Sequence, residues 1–472
     1  MEAIKEKLGT LAGHPVQLLL FSLIIGSTVF LLATPYYMYA VLPTLGFLLL
    51  LLLGNAPRIG YYMVIFMVPF DVYRELLGKA LSFSKILGGV LLLIVTLHML
   101  FGRISLDRLK SNIWPWFVFY FIAGVVSTFL SDFRLTSFDQ IRQTVATFAF
   151  FFLTLALVDR DSFFKTLPRV LMASITLSAI LSIVGYVFDI PVLSMDIRGE
   201  NMTRATGGSY DPNFNAAVIS FGLPLLFQFH YMFKVETFKK KLLFMLIILL
   251  NVVGITLTFS RAGGIVLLVV LIFSAAQNLY KLRPIHLGFV MISFFSFIIA
   301  MALLVPSSYW TRQKSITDTA DESLQRRYSY LVLAGDAIKK NPIFGYGPGT
   351  FHDLYAQTLN AVDLAGTITE DYFRDAHNTY IEILVGRGVL GLIIYMGITV
   401  TSFLNFYKAK KNLVTSGRKE EATIVNSYML AFLAMSIFIL FLSMEHHKYI
   451  WISIALSQVA LNFSRVDGNS SK

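Results

Sequence analysis

The 472-residue chain contains no cysteine, which excludes disulfide cross-links and thiolate chemistry. Charge is also scarce. Asp, Glu, Lys and Arg together make 14% of the residues against 56% hydrophobic, and the mean hydropathy is +0.68, too apolar for the surface of a soluble protein. Runs of alternating apolar and polar residues are missing, which argues against a transmembrane barrel. An Asp-x-Asp pair occurs only as Asp159-Arg160-Asp161, in a short basic loop, and reads as solvated charge rather than the metal grip of a nucleotide-sugar transferase. The glycine-rich Gly345-Tyr346-Gly347-Pro348-Gly349 lacks the Lys-Ser/Thr of a nucleotide loop, so it reads as a tight turn.

Long apolar segments fill the rest of the chain. Val16 to Ala33, Leu242 to Phe259 and Ile265 to Ala276 carry few or no charges, approaching the ~20 residues a helix needs to cross a bilayer. The expected fold is an all-α polytopic membrane protein of about 12–14 transmembrane helices with one long helical outer loop. Spans are placed near 16–33, 37–53, 58–70, 85–101, 113–130, 141–158, 167–188, 212–232, 241–259, 262–279, 285–305, 378–405, 424–442 and 447–463. The third is short enough to be re-entrant. Four regions follow: N-terminal helices (1–188), central helices with arginine motifs (189–305), the outer loop (306–376) and C-terminal helices (377–472).

The net charge of +11 is assigned to membrane orientation rather than to nucleic acid. Every second connection is basic: Arg103, Arg108 and Lys110; Arg160, Lys165 and Arg169; Lys239 to Lys241; Lys281 and Arg283; Lys408, Lys410 and Lys411. Short basic loops resist translocation, so both termini are expected in the cytoplasm and 306–376 outside. Lysines dominate inside. Arginines dominate outside, among them Arg198, Arg204, Arg261, Arg327 and Arg387. Guanidinium is the cation suited to bidentate phosphate contact, so the outer side is expected to hold an anion, with pairing to carboxylates or lipid phosphates as the plainer reading.

Three polar motifs fall at outer helix ends. In the first, from Arg204 to Asn213, Gly207 and Gly208 permit close backbone approach and Pro212 opens a helix. Tyr210, Asp211 and Asn213 are candidates for contact with substrate hydroxyls, or for capping that helix. The second, Ser260-Arg261-Ala262-Gly263-Gly264, breaks two apolar spans and is also readable as an interfacial turn. The third runs from Asp375 through His377, Asn378 and Glu382 to Gly391. His377 is a candidate base or a structural histidine, and Asn378 and Glu382 share a helix face beside it. An amphipathic helix is expected between Asp321 and Lys340. Glu445-His446-His447 reads as interfacial anchoring, or as a divalent-ion site.

With nine residues between His377-Asn378 and Gly388-Val389-Leu390-Gly391, and with the Arg204, Ser260-Arg261 and Gly345 to Gly349 elements in order before it, the stretch from about 198 to 395 resembles the O-antigen ligase and polymerase family. The resemblance implies transfer of a glycan from a polyprenyl diphosphate carrier to a sugar hydroxyl on the periplasmic face of the bacterial inner membrane, with no metal or cofactor. The acceptor would be lipid A core or a second carrier-linked glycan. Arg204 and Arg261 would stabilise the diphosphate and His377 would act as base, with Arg198, Arg327, Asn378 and Glu382 supporting. The competing reading is a flippase for the same lipid. Such a transporter commonly has two related halves, and no internal repeat is evident here.

Overall fold

The computed structural model describes residues 15–70, 83–196, 203–209, 211–227, 237–279, 322–361 and 372–465. The expected span at 285–305 and the candidates Arg198 and Tyr210 lie outside the described residues, as do 306–321 and 362–371 of the outer loop.

The helices in order are α1 (Pro15–Leu32), α2 (Leu42–Asn55), α3 (Pro57–Met67), α4 (Phe83–Leu100), α5 (Trp114–Leu130), α6 (Arg134–Leu157) and α7 (Leu167–Val187). After the short antiparallel strands β1 (Ser194–Asp196) and β2 (Thr203–Ala205) come α8 (Pro212–Leu226), α9 (Phe238–Leu257), α10 (Arg261–Leu279), α11 (Glu322–Lys340) and α12 (Phe351–Ala356). The chain ends with α13 (Thr379–Thr415), α14 (Lys419–Phe438) and α15 (Lys448–Arg465). Every described span expected from hydropathy coincides with one of these helices. Among the described residues, six helical segments are long and apolar enough to cross a membrane, and shorter apolar helices accompany them. The protein is an all-α polytopic membrane protein, and the β1–β2 hairpin is an addition that hydropathy could not announce.

Burial sorts the helices into centre and rim. α8 and α15 bury side chains on every face, whereas α1 and α2 present Leu23, Phe30, Leu48 and Leu51 outward, as lipid contact requires. α13 packs on α5, α14 and α15, and α8 on α7, α9, α10 and α14. Lipid is as apolar as leucine, so helices associate through close packing and hydrogen bonds. At the α9–α7 crossing a Cβ on Gly254 would lie 2.8 Å from the Ala179 Cβ. Away from the polar motifs, Asn112 and Asn405 exchange amide hydrogen bonds at 3.0 Å, joining the start of α5 to α13. Interhelical bonds of this kind contribute about 0.6 kcal/mol each.

Charges expected on one side of the membrane meet each other. Arg58 pairs with Asp159, and Arg160 with Glu421 at 2.8 Å, joining basic connections at one end of the bundle. At the other end Arg142 pairs with Asp139 on an exposed face.

α13 is broken once, at Gly388 (φ 66°, ψ −171°), and this break receives the glycine-rich turn. Tyr346 N–H donates to the Val385 carbonyl and Gly347 N–H to that of Gly386, both at 2.9 Å, while Val389 N–H reaches Pro342. The Ser127 hydroxyl lies 2.6 Å from the carbonyl oxygens of Phe344 and Gly386. Irregular backbone inside a bundle survives when its polar groups are satisfied in this way. The Gly388 backbone angles belong to a region open essentially to glycine alone, and a Cβ there would sit 2.1 Å from the Ile343 oxygen. Gly388→Ala is therefore expected to destabilise by at least ~1–3 kcal/mol. A thermal midpoint in detergent equal to that of wild type would refute this.

Candidate functional site

The first motif folds as a clamp on α7. Gly207 (φ 57°) and Gly208 (φ 92°) turn the chain. A Cβ on Gly207 would meet the Ser182 hydroxyl at 2.3 Å. Asn215 donates to the Ser182 hydroxyl at 2.7 Å and lies 2.8 Å from that of Ser178. Asp211 is the cap of α8: its carboxylate accepts from the N–H groups of Asn213 and Phe214. Capping satisfies helix N–H groups that have no partner inside the helix. That commits part of Asp211 to structure.

Arg204 joins the first motif to the second. It sits on β2 at 6% exposure, its Nε donating to the Thr258 carbonyl at 2.6 Å and one terminal nitrogen to Asn213 Oδ1 at 3.0 Å. The receiving turn is tight. Phe259 has φ 50°, and the Ser260 side chain accepts from the Gly263 N–H, so a new helix starts at once with Arg261, half-buried, as its first residue. Sequence order separates Arg204 from Arg261; the Arg204–Thr258 bond brings their backbones to one end of the bundle.

The third motif is held from beneath. Asn378 caps α13, its side-chain oxygen accepting from Ile381 N–H at 3.1 Å. Thr379 donates its hydroxyl to the Leu442 carbonyl at 2.7 Å and receives the Met444 N–H at 2.8 Å. Glu382 accepts from the Ala376 N–H at 2.9 Å and from the Ser443 hydroxyl. These contacts fix the chain on both sides of His377, whose φ of 48° turns it out of the helix line.

The His377 residue is exposed, yet protein surrounds much of its ring. This partial desolvation, reinforced by the nearby Arg327 of α11, holds its pKa below the usual 6.5, against the opposing pull of Asp375 and Asp211. The ring is neutral at pH 7 and can accept a proton. His377, Asp211 and Arg327 thus share one electrostatic environment.

Some readings change. Arg387, counted among outward arginines, is 1% exposed and pairs with Glu445 at 2.7 Å, with its guanidinium 4.5 Å from the centre of the Tyr120 ring. Tyr120 donates its hydroxyl to the same carboxylate at 2.8 Å. Glu445 is therefore a buried counter-ion, where the sequence suggested an interfacial anchor or metal ligand. His446 instead reaches Gln140 at 2.9 Å.

Two features carried no clear sequence signal. His352 of α12 lies 3.6 Å from carboxylate oxygens of both Asp353 and Asp375, and the bond to Asp375 raises its pKa above 6.5 despite burial. A cavity of about 270 Å³ opens between α6, the start of α8 and the loop before α15, with Phe214, Val218, Gln143 and Ser443 among its walls.

Apolar helices whose arginine, histidine and amide motifs gather at one end define a multi-pass membrane protein with a polar site at the mouth of its bundle. Residues 244–396 match the family model described as O-antigen ligase. This match, over about a third of the chain, supports the likeness to the O-antigen ligase and polymerase family that the motifs carry. It spans Arg261, the glycine-rich turn, His377 and the Gly388–Gly391 element, while Arg204 and Asn213 precede it. No curated protein matches the chain.

Proposed function

We propose that the protein moves a glycan from a polyprenyl diphosphate to a sugar hydroxyl at the periplasmic face of the inner membrane, by a single inverting displacement without metal. The acceptor hydroxyl oxygen bonds to the anomeric carbon as the bond from that carbon to the diphosphate oxygen breaks. The hydroxyl proton passes to His377, and the diphosphate leaves with the electron pair. Arg204 and Arg261 face the growing negative charge, which preorganised cations stabilise without reorganisation. Arg327 tunes His377 and assists with the anion. Glu382 and Asn378 hold the loop that carries the base, and Asn213, Asp211, Tyr210 and Arg198 belong to the sugar and phosphate surroundings.

The observation that carries this reading is the meeting at one bundle end of motifs spread over more than 150 residues of chain: Arg204 bonded to the turn before Arg261, and His377 within the field of Asp211 and Arg327. A base kept neutral beside cations suits attack on a diphosphate-linked sugar.

The test is transfer by purified protein supplied with a polyprenyl-diphosphate glycan, resolving carrier-linked polymer from lipid A-linked product. Turnover names the acceptor. Absence of transfer with both acceptors, together with movement of the lipid across proteoliposomes, would replace the proposal with a flippase. Because the base must be neutral, the rate is expected to rise with pH through the His377 pKa, with the midpoint of the rise below the ordinary histidine value of 6.5. An acid limb centred above 7 would contradict the role given to His377.

A further inference from the structure

Resting on the transferase reading above, we propose that the cavity between α6, the first turns of α8 and the 443–448 loop is the subsite for the uncharged sugar ring that carries the attacking hydroxyl. Its position is the first reason. Asp375, two residues before His377, lines it, and so does Glu382, which holds the Ala376 N–H. A ring seated there borders the loop that carries His377, and in this proposal its hydroxyl turns toward that base. α8 divides the two regions: Asn213 turns to Arg204, whereas Phe214 and Val218, on one face by their spacing of four, wall the cavity.

Wall chemistry is the second reason. Phe214, Val218 and Phe351 supply apolar surface, while Gln143, Ser209 and Ser443 supply donors and acceptors. A pyranose has the matching build, with C–H faces and a rim of hydroxyls. Charges of both signs line the space: Lys85 and Lys448 against Asp375, Glu382 and Glu445. Glu445 is paired with Arg387 and Lys448 donates to Ser84 at 2.6 Å, so the lining does not select an anion. At about 270 Å³ the cavity falls just below the usual range for small-molecule sites, which suits one sugar unit rather than a chain. The diphosphate is thereby left to the arginine side.

Two variants test this without touching His377 or the arginines. Val218→Phe fills the cavity from α8, and Gln143→Ala removes one polar wall group from a half-buried position. With both confirmed as folded by monodisperse elution and an unchanged helical spectrum, the acceptor KM is expected to rise about tenfold while the donor KM stays within about twofold. A rise in donor KM instead, or no change in either constant for both variants, overturns the assignment. Saturation-transfer NMR separates this failure from failure of the transferase reading, because it needs no turnover. The probes are the soluble core oligosaccharide released from lipid A and the glycan repeat freed from its carrier. Wild type should saturate one of them and Val218→Phe should lose that signal. No signal from wild type with either probe refutes the subsite.

Discussion

His377→Ala is expected to lower transfer by about 10²–10⁴-fold, the range for loss of a positioned general base, with little change in stability. His377 makes none of the bonds that hold its loop, which belong to Asn378, Thr379 and Glu382. Arg261→Ala is expected to cost about 10²–10³-fold, as for removal of one preorganised charge-stabilising donor. Arg204 is a poorer probe. It is bound to the Thr258 carbonyl and Asn213, so its truncation disturbs the turn that positions Arg261 as well as any charge effect. Lysine cannot reproduce that fork. Rates of purified, folded variants decide the matter: a His377→Ala enzyme retaining more than about a tenth of wild-type turnover would remove the base from the mechanism.

The second large effect is one of stability. Glu445→Ala leaves the Arg387 guanidinium buried without its carboxylate and takes the acceptor from Tyr120, and breaking a buried pair in this manner costs about 3–5 kcal/mol. Burial works against ionisation of Glu445, but Arg387 outweighs it and holds the carboxyl below its usual pKa. The double variant Arg387→Met, Glu445→Leu is expected to recover most of the loss, because apolar groups of similar volume avoid desolvating either ion. Thermal unfolding in detergent should show a large drop for the single variant and a small one for the double. Equal drops would mean that the pair contributes shape rather than charge. Activity should fall with the single variant too, since the same loop supplies Ser443 to Glu382.

The sequence by itself determined the helices. A segment crossing lipid must satisfy its backbone internally and offer apolar side chains for most of ~20 residues, a requirement written locally in the apolar helices, α11 and α12 excepted. It also determined which short motifs lie at helix ends, because caps and turns use few residue types: Asp211 before Pro212, Ser260 before Arg261 and Asn378 before Thr379 were all readable as boundaries. His377 and Arg261 stood out because polar groups are conspicuous beside apolar runs.

Only the tertiary structure decided what those residues face. Arg387 and Arg261 look alike in sequence, yet one is sealed against Glu445 and Tyr120 while the other opens a helix at the bundle mouth. The difference lies in the rotation and crossing of α13, α5 and the 443–448 loop, set by packing among residues far apart in the chain. The same holds for the cavity, whose walls come from seven separated stretches, and for the glycine-rich turn, whose partner is the α13 break at Gly388 rather than a phosphate. Hydropathy is a property of single segments, whereas an ion pair, a cavity or a filled helix break is a property of how segments meet.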